Sequence, residues 1–355
     1  KMKTFPSFSL FFIYSLFRCN AFLSMTQRVP PKRILIIGGT RFSGLYLQKE
    51  LHSRGHEVVL YNRGKTANKQ LPNEEYENFT KRAVEVKTIV GDRKSEEVIR
   101  ETLGNEKFDA VFDMNARELS DTKPLADLFN GKVEHYVFMS SAGVYLKSDQ
   151  MPHRETDETD PKSRHKGKFE SEEYLKKIGI PFTSIRPTYI YGPLNYNPLE
   201  EWFFERLDQD RPIIIPGHGQ HLTGLGHVKD LAVAMANVIG NEKAKGQIYN
   251  IQDSKAITFD GIAKACAEAM GKDPSAVVIK HYDPKKFDFG KKKAFPMRPQ
   301  HFFAGISKAM KDLDWAPSYS TLEGLKDSYL NDFAHKKKAE GLKNDFECDD
   351  KVLGH

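Results

Sequence analysis

Four stretches of this 355-residue chain hold residues whose types and spacing suit chemistry on phosphates. The first is an apolar run at 34–37, then Gly38 and Gly39, then Gly44 opening an apolar-periodic segment. That pattern is strand, glycine turn, helix. A helix N-terminus aims free N–H groups and a positive dipole end at an anion, and glycines let the backbone come close. The second stretch, Asn62-Arg63-Gly64-Lys65, follows an apolar run at 57–61. In NAD-binding folds an acid there holds the ribose 2′-hydroxyl; two cations suit a 2′-phosphate or another polyanion instead. The third places Lys162, Arg164, Lys166 and Lys168 in seven residues without an acid, with His165 among them. Cations stabilise phosphoryl charge, and imidazole transfers protons near neutral pH. The fourth is 280–311, where nine Lys and Arg residues face only Asp283 and Asp288. Lys285, Lys286, Lys291, Lys292, Lys293 and Arg298 lie there, interleaved with Tyr282, Phe287, Phe289, Phe295, Phe302 and Phe303. Lysines attract phosphates, and exposed aromatics stack on unpaired bases. Each stretch also has a plainer reading: a packing turn, a solvated turn, a basic helix start, and a buried aromatic core with a lysine rim.

The elements that must position these residues alternate. Apolar runs at 34–37, 57–61, 84–90, 109–114, 135–139 and 182–186 read as strands, with helical segments at 95–103 and 119–129 between them. Strands alternating with helices predict an α/β fold with a doubly wound, Rossmann-type parallel sheet. Residues 66–82 have no clear apolar period and read as a mobile loop or poorly ordered helix. Gly91-Asp92-Arg93 ends the third strand. The cofactor candidates are therefore Gly38, Gly39, Thr40, Arg41, Gly44, Asn62, Arg63 and Asp92. Further on, 202–207 and 258–270 read as helices, and 213–215 and 247–251 as strands. This predicts a smaller C-terminal α+β lobe at 191–333 beside a nucleotide-binding-type domain at 33–190, with some elements returning to the sheet. Residues 334–355 read as a mobile tail.

Composition narrows the classes. Hydrophobic content of 39% can build a large core. Cys19, Cys266 and Cys348 are too widely spaced for a disulfide framework or a metal site, and Cys266 reads as packing. Lys1 and Lys3 precede an apolar run at 8–17 with small residues near 19–21. That run is too short to span a bilayer and reads as a signal peptide, so no membrane partner is expected. Residues 22–32 continue basic and hydroxylated, and no acid precedes Glu50. Signal 1–21 plus transit-like 22–32 resembles the bipartite plastid leaders of algae with complex plastids and predicts a plastid stroma location; the alternative is a start at Met25 and a cytosolic protein. Removing 1–21, with Lys1, Lys3 and Arg18, lowers the formal charge from +6 to +3. Nucleic-acid binding must then rest on local patches.

The glycine turn resembles that of extended short-chain dehydrogenase/reductase (SDR) proteins, G-x-x-G-x-x-G, with Arg41 in place of the middle glycine. Ser140-Ser141-Ala142-Gly143-Val144-Tyr145 resembles the SDR segment in which Ser141 would help hold a substrate hydroxyl. SDR enzymes pair that serine with Tyr-x-x-x-Lys. Here Lys168 aligns with the lysine, but the tyrosine position is Arg164. Arginine is no general acid near neutral pH, so ordinary SDR redox chemistry is not expected.

Longer motifs narrow the resemblance. GGTRFSG at 38–44, DPKSRHKGK at 160–168, IRPTYIYGPLNYNPLEEWFF at 185–204 and FDFGKKKAFPMRPQHFFA at 287–304 resemble the chloroplast stem-loop-binding proteins of 41 kDa, b-type. The resemblance covers roughly residues 33–333. It implies binding of plastid stem-loop mRNA and rRNA, a role in RNA stability or processing, and membership of homo- or hetero-oligomeric ribonucleoprotein assemblies. It also implies an NADP or NAD site that is either used or vestigial, and Mg²⁺-aided endoribonuclease activity, carried over only weakly because no metal cluster is visible. The RNA-binding candidates are Lys285, Lys286, Lys291, Lys292, Lys293, Arg298, Lys162, Arg164 and Lys166, and His165 is the candidate proton carrier. Two other readings stay open: an NAD(P)-dependent sugar-nucleotide epimerase or reductase, and a non-catalytic scaffold of plastid ribonucleoprotein or transcription complexes.

Overall fold

The computed structural model describes residues 29–341 and 345–354. The leader expected at 1–21 and most of 22–32 lie outside them. Lys32 belongs to the fold rather than to a leader: its carbonyl accepts from Glu57 N–H, and its ammonium pairs with Glu134 at 2.8 Å. Six strands follow in chain order: β1 (Arg33–Ile37), β2 (Glu57–Asn62), β3 (Lys87–Val90), β4 (Ala110–Asp113), β5 (His135–Met139) and β6 (Phe182–Pro187). With Gln247–Ile251 they form one seven-stranded sheet. Its order is 247–251, β6, β5, β4, β1, β2, β3, and all its pairings are parallel. β4, β5 and β6 are buried along their whole length, because helices cover both faces, and so they read as continuous apolar runs. The order reverses between β1 and β4, which opens a crevice at the carboxyl ends of the strands.

The first helix (Phe42–Ser53) packs its Phe42, Leu45 and Tyr46 against Val228 and Ala232 of a helix (Val228–Ala236) that returns from the second half. The second half has its own core, including Phe203, Phe204, Ile213, Phe259, Phe295 and Leu325. Because Gln247–Ile251 and Val228–Ala236 cross back, the two lobes belong to one compact body from Pro31 onward.

Two segments differ from expectation. Residues 66–82 are not a loose insertion, since a helix (Tyr76–Glu85) ends them and runs into part of the expected third strand. Its Arg82 is 1% exposed and donates to Glu74 at 2.9 and 2.7 Å, to the Lys69 carbonyl at 3.0 Å, and to Gln48 of the first helix. A buried charge pair anchors the segment, so no apolar stripe announces it. Residues 334–355, expected as a mobile tail, form the helices Ala334–Glu340 and Glu347–Leu353. Asp349 is fully buried against Arg206 at 2.7 and 2.8 Å, and Val352 packs with Ile214 and Tyr282.

Candidate nucleotide cleft and cation cluster

The crevice holds a cleft of about 730 Å³ lined by Gly38, Thr40, Arg41, Asn62, Arg63, Lys65, Asp92, Arg93, Lys168 and Tyr196, among others. Two glycines are required there. Gly38 has φ +89°, and a Cβ on it would lie 2.8 Å from Asn115 Cγ. A Cβ on Gly44 would lie 2.4 Å from the Gly38 carbonyl oxygen, so the helix could not start so close to the strand. Gly39 faces Leu60 instead and serves packing. Arg41 caps the helix at φ −135°, ψ 146°, extended backbone that any residue adopts. Its side chain reaches toward Thr66 Oγ1 at 3.4 Å, beside the 62–66 turn. Asn62 Oδ1 accepts from Gly64 N–H at 2.7 Å, while its buried Nδ2 has no partner. Asp92 Oδ1 accepts from Lys94 N–H at 3.0 Å. Arg93, which sequence reasoning did not single out, forks onto Asp113 at 2.6 and 2.9 Å and also bonds Asn115. Its only sequence signal is its place after a strand end. Lys65, the second cation of the 62–65 turn, lines the cleft as expected, whereas Tyr196, 72% exposed, was missed as a lining residue.

Lys168 connects this cleft to a group of cations. It projects from the helix Lys166–Ile178 and donates to the Met139 carbonyl at 2.5 Å. Burial pushes its pKa down to about 8, against the pull of Asp113 and Glu172. Arg164 Nε donates to His165 Nε2 at 3.1 Å, which makes that nitrogen an acceptor in the neutral ring. Burial, then Arg164, Arg298 and Lys168, push the His165 pKa down to about 4. Gly143 carries no Cβ where one would meet His165 Nε2 at 2.7 Å and Arg298 Nη2 at 3.1 Å. Arg298 comes from the far lobe. Its N–H donates to Tyr189 Oη at 2.9 Å, and its guanidinium lies 5.2 Å from the centre of the Phe302 ring. Burial, and Arg164 among its neighbours, lower its pKa. Burial, Arg164 and Arg298 also lower that of Lys293. Among the described residues, Arg164, Lys168, Lys293 and Arg298 make no salt bridge, whereas Arg82, Arg93, Arg186 and Arg206 each fork onto a carboxylate.

The remaining candidates scatter. Ser141 caps a short turn by accepting from Gly143 N–H at 3.0 Å. Lys166 pairs with Glu170 at 3.3 Å, and Lys292 with Asp345 at 2.8 Å and Glu347 at 2.5 Å. Lys162, Lys285, Lys286 and Lys291 are exposed. Half of the aromatics expected to stack on bases are core instead, Phe295 packing with Phe203 and Phe259, Phe302 with Tyr189, and Tyr282 under the partly buried Phe287 and Phe289. Among the described residues, no group of three or more His, Cys, Asp or Glu is placed to hold a metal ion, and no helix is long and apolar enough to cross a membrane.

Fold and cleft together define an NAD dependent epimerase/dehydratase family protein, and the chain belongs to that family, whose model matches residues 34–251. It is 52% identical over 326 residues to the chloroplast stem-loop binding protein of 41 kDa b of Arabidopsis thaliana, covering 91% of this chain and 84% of that one. The resemblance read from the motifs is borne out. Among solved structures it is similar to a UDP-glucose 4-epimerase of Thermotoga maritima, with TM-score 0.68, 21% identity, and 87% and 100% of the two chains covered. It is also similar to a Bordetella bronchiseptica enzyme solved with NAD⁺, with TM-score 0.66, 18% identity, and 88% and 100% covered. These two likenesses concern the fold, and the expected doubly wound parallel sheet is present.

Proposed function

We propose that this chain is a plastid RNA-binding protein in which a nucleotide-binding fold has exchanged proton transfer for phosphate binding. Arg164 carries the reading. In an SDR enzyme a tyrosine four residues before the lysine moves the proton that accompanies hydride transfer. A guanidinium cannot do that near neutral pH, but it binds phosphate oxygens in a fixed fork. Arg298, Lys293 and Lys168 add positive charge with no carboxylate paired to it. The chloroplast relative named for stem-loop binding supports both the ligand and the compartment. Stem-loop mRNA and rRNA are the proposed partners, and RNA stability or processing within oligomeric assemblies is the proposed role.

The cleft fits a dinucleotide in part. Gly38, Thr40 and the helix start at Phe42 would hold a pyrophosphate, and Asn62 Nδ2, Arg63 and Lys65 would hold a ribose bearing a 2′-phosphate. NADP when bound would supply hydride chemistry. This chain holds the neighbouring lysine but lacks the hydroxyl at Arg164.

The test is incubation of the full chain with a labelled plastid stem-loop RNA, with Mg²⁺ and with chelator. A native gel reads binding and a denaturing gel reads cleavage. Salt-sensitive binding supports the proposal, and chelator-blocked cleavage would add a processing activity. No binding would refute it and favour the scaffold, while turnover of NADPH with a sugar nucleotide would favour the oxidoreductase.

A further inference from the structure

We propose that Arg164, His165, Arg298 and Lys293 form a socket for a single phosphate group, and that it takes the terminal phosphomonoester of an RNA strand. The ligand's source rests on the RNA-binding reading; the socket itself rests on geometry. Three observations build it.

The groups converge. His165 Nε2 and Arg298 Nη2 lie 2.7 and 3.1 Å from the point where a Gly143 Cβ would stand, and Arg164 Nε is 3.1 Å from the same imidazole nitrogen. Only a glycine at 143 lets the imidazole and the Arg298 guanidinium come this close to the backbone and to each other.

The charge is uncompensated. Elsewhere the fold pairs its buried guanidinium groups with carboxylates, as in Arg82–Glu74, Arg186–Glu172 and Arg206–Asp349. Here the half-buried Arg298 and the exposed Arg164 and Lys293 have no described acid within salt-bridge distance; burial and Arg164 lower the proton affinity of Arg298, and burial, Arg164 and Arg298 lower that of Lys293. Crowded like charges cost free energy that an anion would return.

The socket is also held in place. Tyr189 Oη accepts from the Arg298 backbone N–H, the Arg298 guanidinium lies over the Phe302 ring, and Arg164 Nε donates to His165. The His165 backbone N–H donates to Ser163 Oγ at 3.1 Å, and that hydroxyl donates to the Gly143 carbonyl at 2.7 Å. Preorganised forks of this kind match phosphate oxygens.

The convergence favours a strand end. A groove that tracks a backbone spreads its cations along the strand. A cluster aimed at one point suits a group carrying more charge than a diester, and a phosphomonoester carries about −1.5 to −2 near neutral pH. With the monoester in place, Arg164 Nε would turn from the imidazole to a phosphate oxygen, and the freed Nε2 could take a proton and donate to the phosphate.

The experiment has two arms. In the first, NMR follows the imidazole titrations of the histidine-labelled full chain with and without inorganic phosphate, and His165→Gln assigns the signal. Phosphate should raise the His165 pKa by roughly 1–3 units in a saturable way. Arg298→Ala and the exposed-site variant Arg164→Gln should abolish that rise. An unshifted His165 at saturating phosphate would overturn the socket. In the second arm, one stem-loop RNA is compared with 5′-phosphate, 3′-phosphate and hydroxyl ends. One phosphorylated end should bind about tenfold more tightly than hydroxyl ends. The preference should vanish in Arg164→Gln. Equal binding of all ends would overturn the strand-end assignment. A phosphate-driven His165 shift without any RNA binding would overturn the RNA-binding reading and the strand end while sustaining the socket, so the two failures are separable.

Discussion

Lys292 and Lys293 are chain neighbours with opposite surroundings, so substituting each alone tests the cation cluster directly. Lys292 is held by Asp345 at 2.8 Å and Glu347 at 2.5 Å, and these hydrogen bonds raise its pKa. Among the described residues, Lys293 bonds the Pro296 carbonyl and no carboxylate, and partial burial with Arg164 and Arg298 lowers its pKa. A lysine that neutralises a phosphate releases condensed counterions, and each such contact steepens the slope of log affinity on log salt by about 0.7 for single strands and 0.9 for duplex. A lysine already paired with two carboxylates adds little to that slope. Lys293→Ala should therefore flatten it by about 0.7–0.9. Across a fourfold rise in salt, the wild-type chain should lose roughly three times more affinity than this variant does. Lys292→Ala should leave the slope unchanged. The assay is a labelled stem-loop titration from about 50 to 200 mM salt with each variant. If Lys292→Ala flattens the slope as much as Lys293→Ala, the division of the basic segment is wrong. If Lys293→Ala keeps the wild-type slope, the cluster does not touch RNA phosphates.

Three further outcomes are expected. Burial pushes the Glu200 carboxyl up to about 7 from its usual 4.5, so the folded chain keeps a proton that the unfolded chain has lost, and stability falls as pH rises from 4.5 to 7. Glu200→Gln should remove that component, of order 3 kcal/mol, from urea unfolding compared at pH 5 and pH 8, and an unchanged pH dependence would refute it. Asp349→Asn should cost about 3–5 kcal/mol in urea unfolding by leaving Arg206 buried without its partner; a loss under about 1 kcal/mol would mean that the helix Glu347–Leu353 does not dock in solution. NADPH should bind roughly tenfold or more tightly than NADH by fluorescence titration, and Arg63→Ala should erase the difference; equal binding to the wild-type chain would sink the reading of Asn62-Arg63.

Much of the scaffold was legible in the chain itself. Apolar runs alternating with helical periods encode the buried strands, and the expected runs overlap all seven sheet strands, including β3, which stands at the sheet edge and is largely exposed. The turn at Gly38 and Gly44 was legible too, since contacts of 2.8 and 2.4 Å admit nothing larger. So was the exchange of tyrosine for Arg164, because helical spacing ties it to Lys168.

Partnership between distant charges was not legible. Composition drew 280–311 as one basic, aromatic surface. Folding divided it, sending Phe295 and Phe302 into the core, Lys292 to Asp345 and Glu347 at the start of the last helix, and Lys293 and Arg298 toward Arg164. Arg82 with Glu74 and Arg206 with Asp349 anchored segments that looked mobile, because a buried ion pair leaves no apolar period. Periodicity records which face of an element is buried, so the strands and the glycine turn could be read from the chain. A cation's role depends on which carboxylate reaches it, and residues up to 143 positions apart are brought together only by the folded chain.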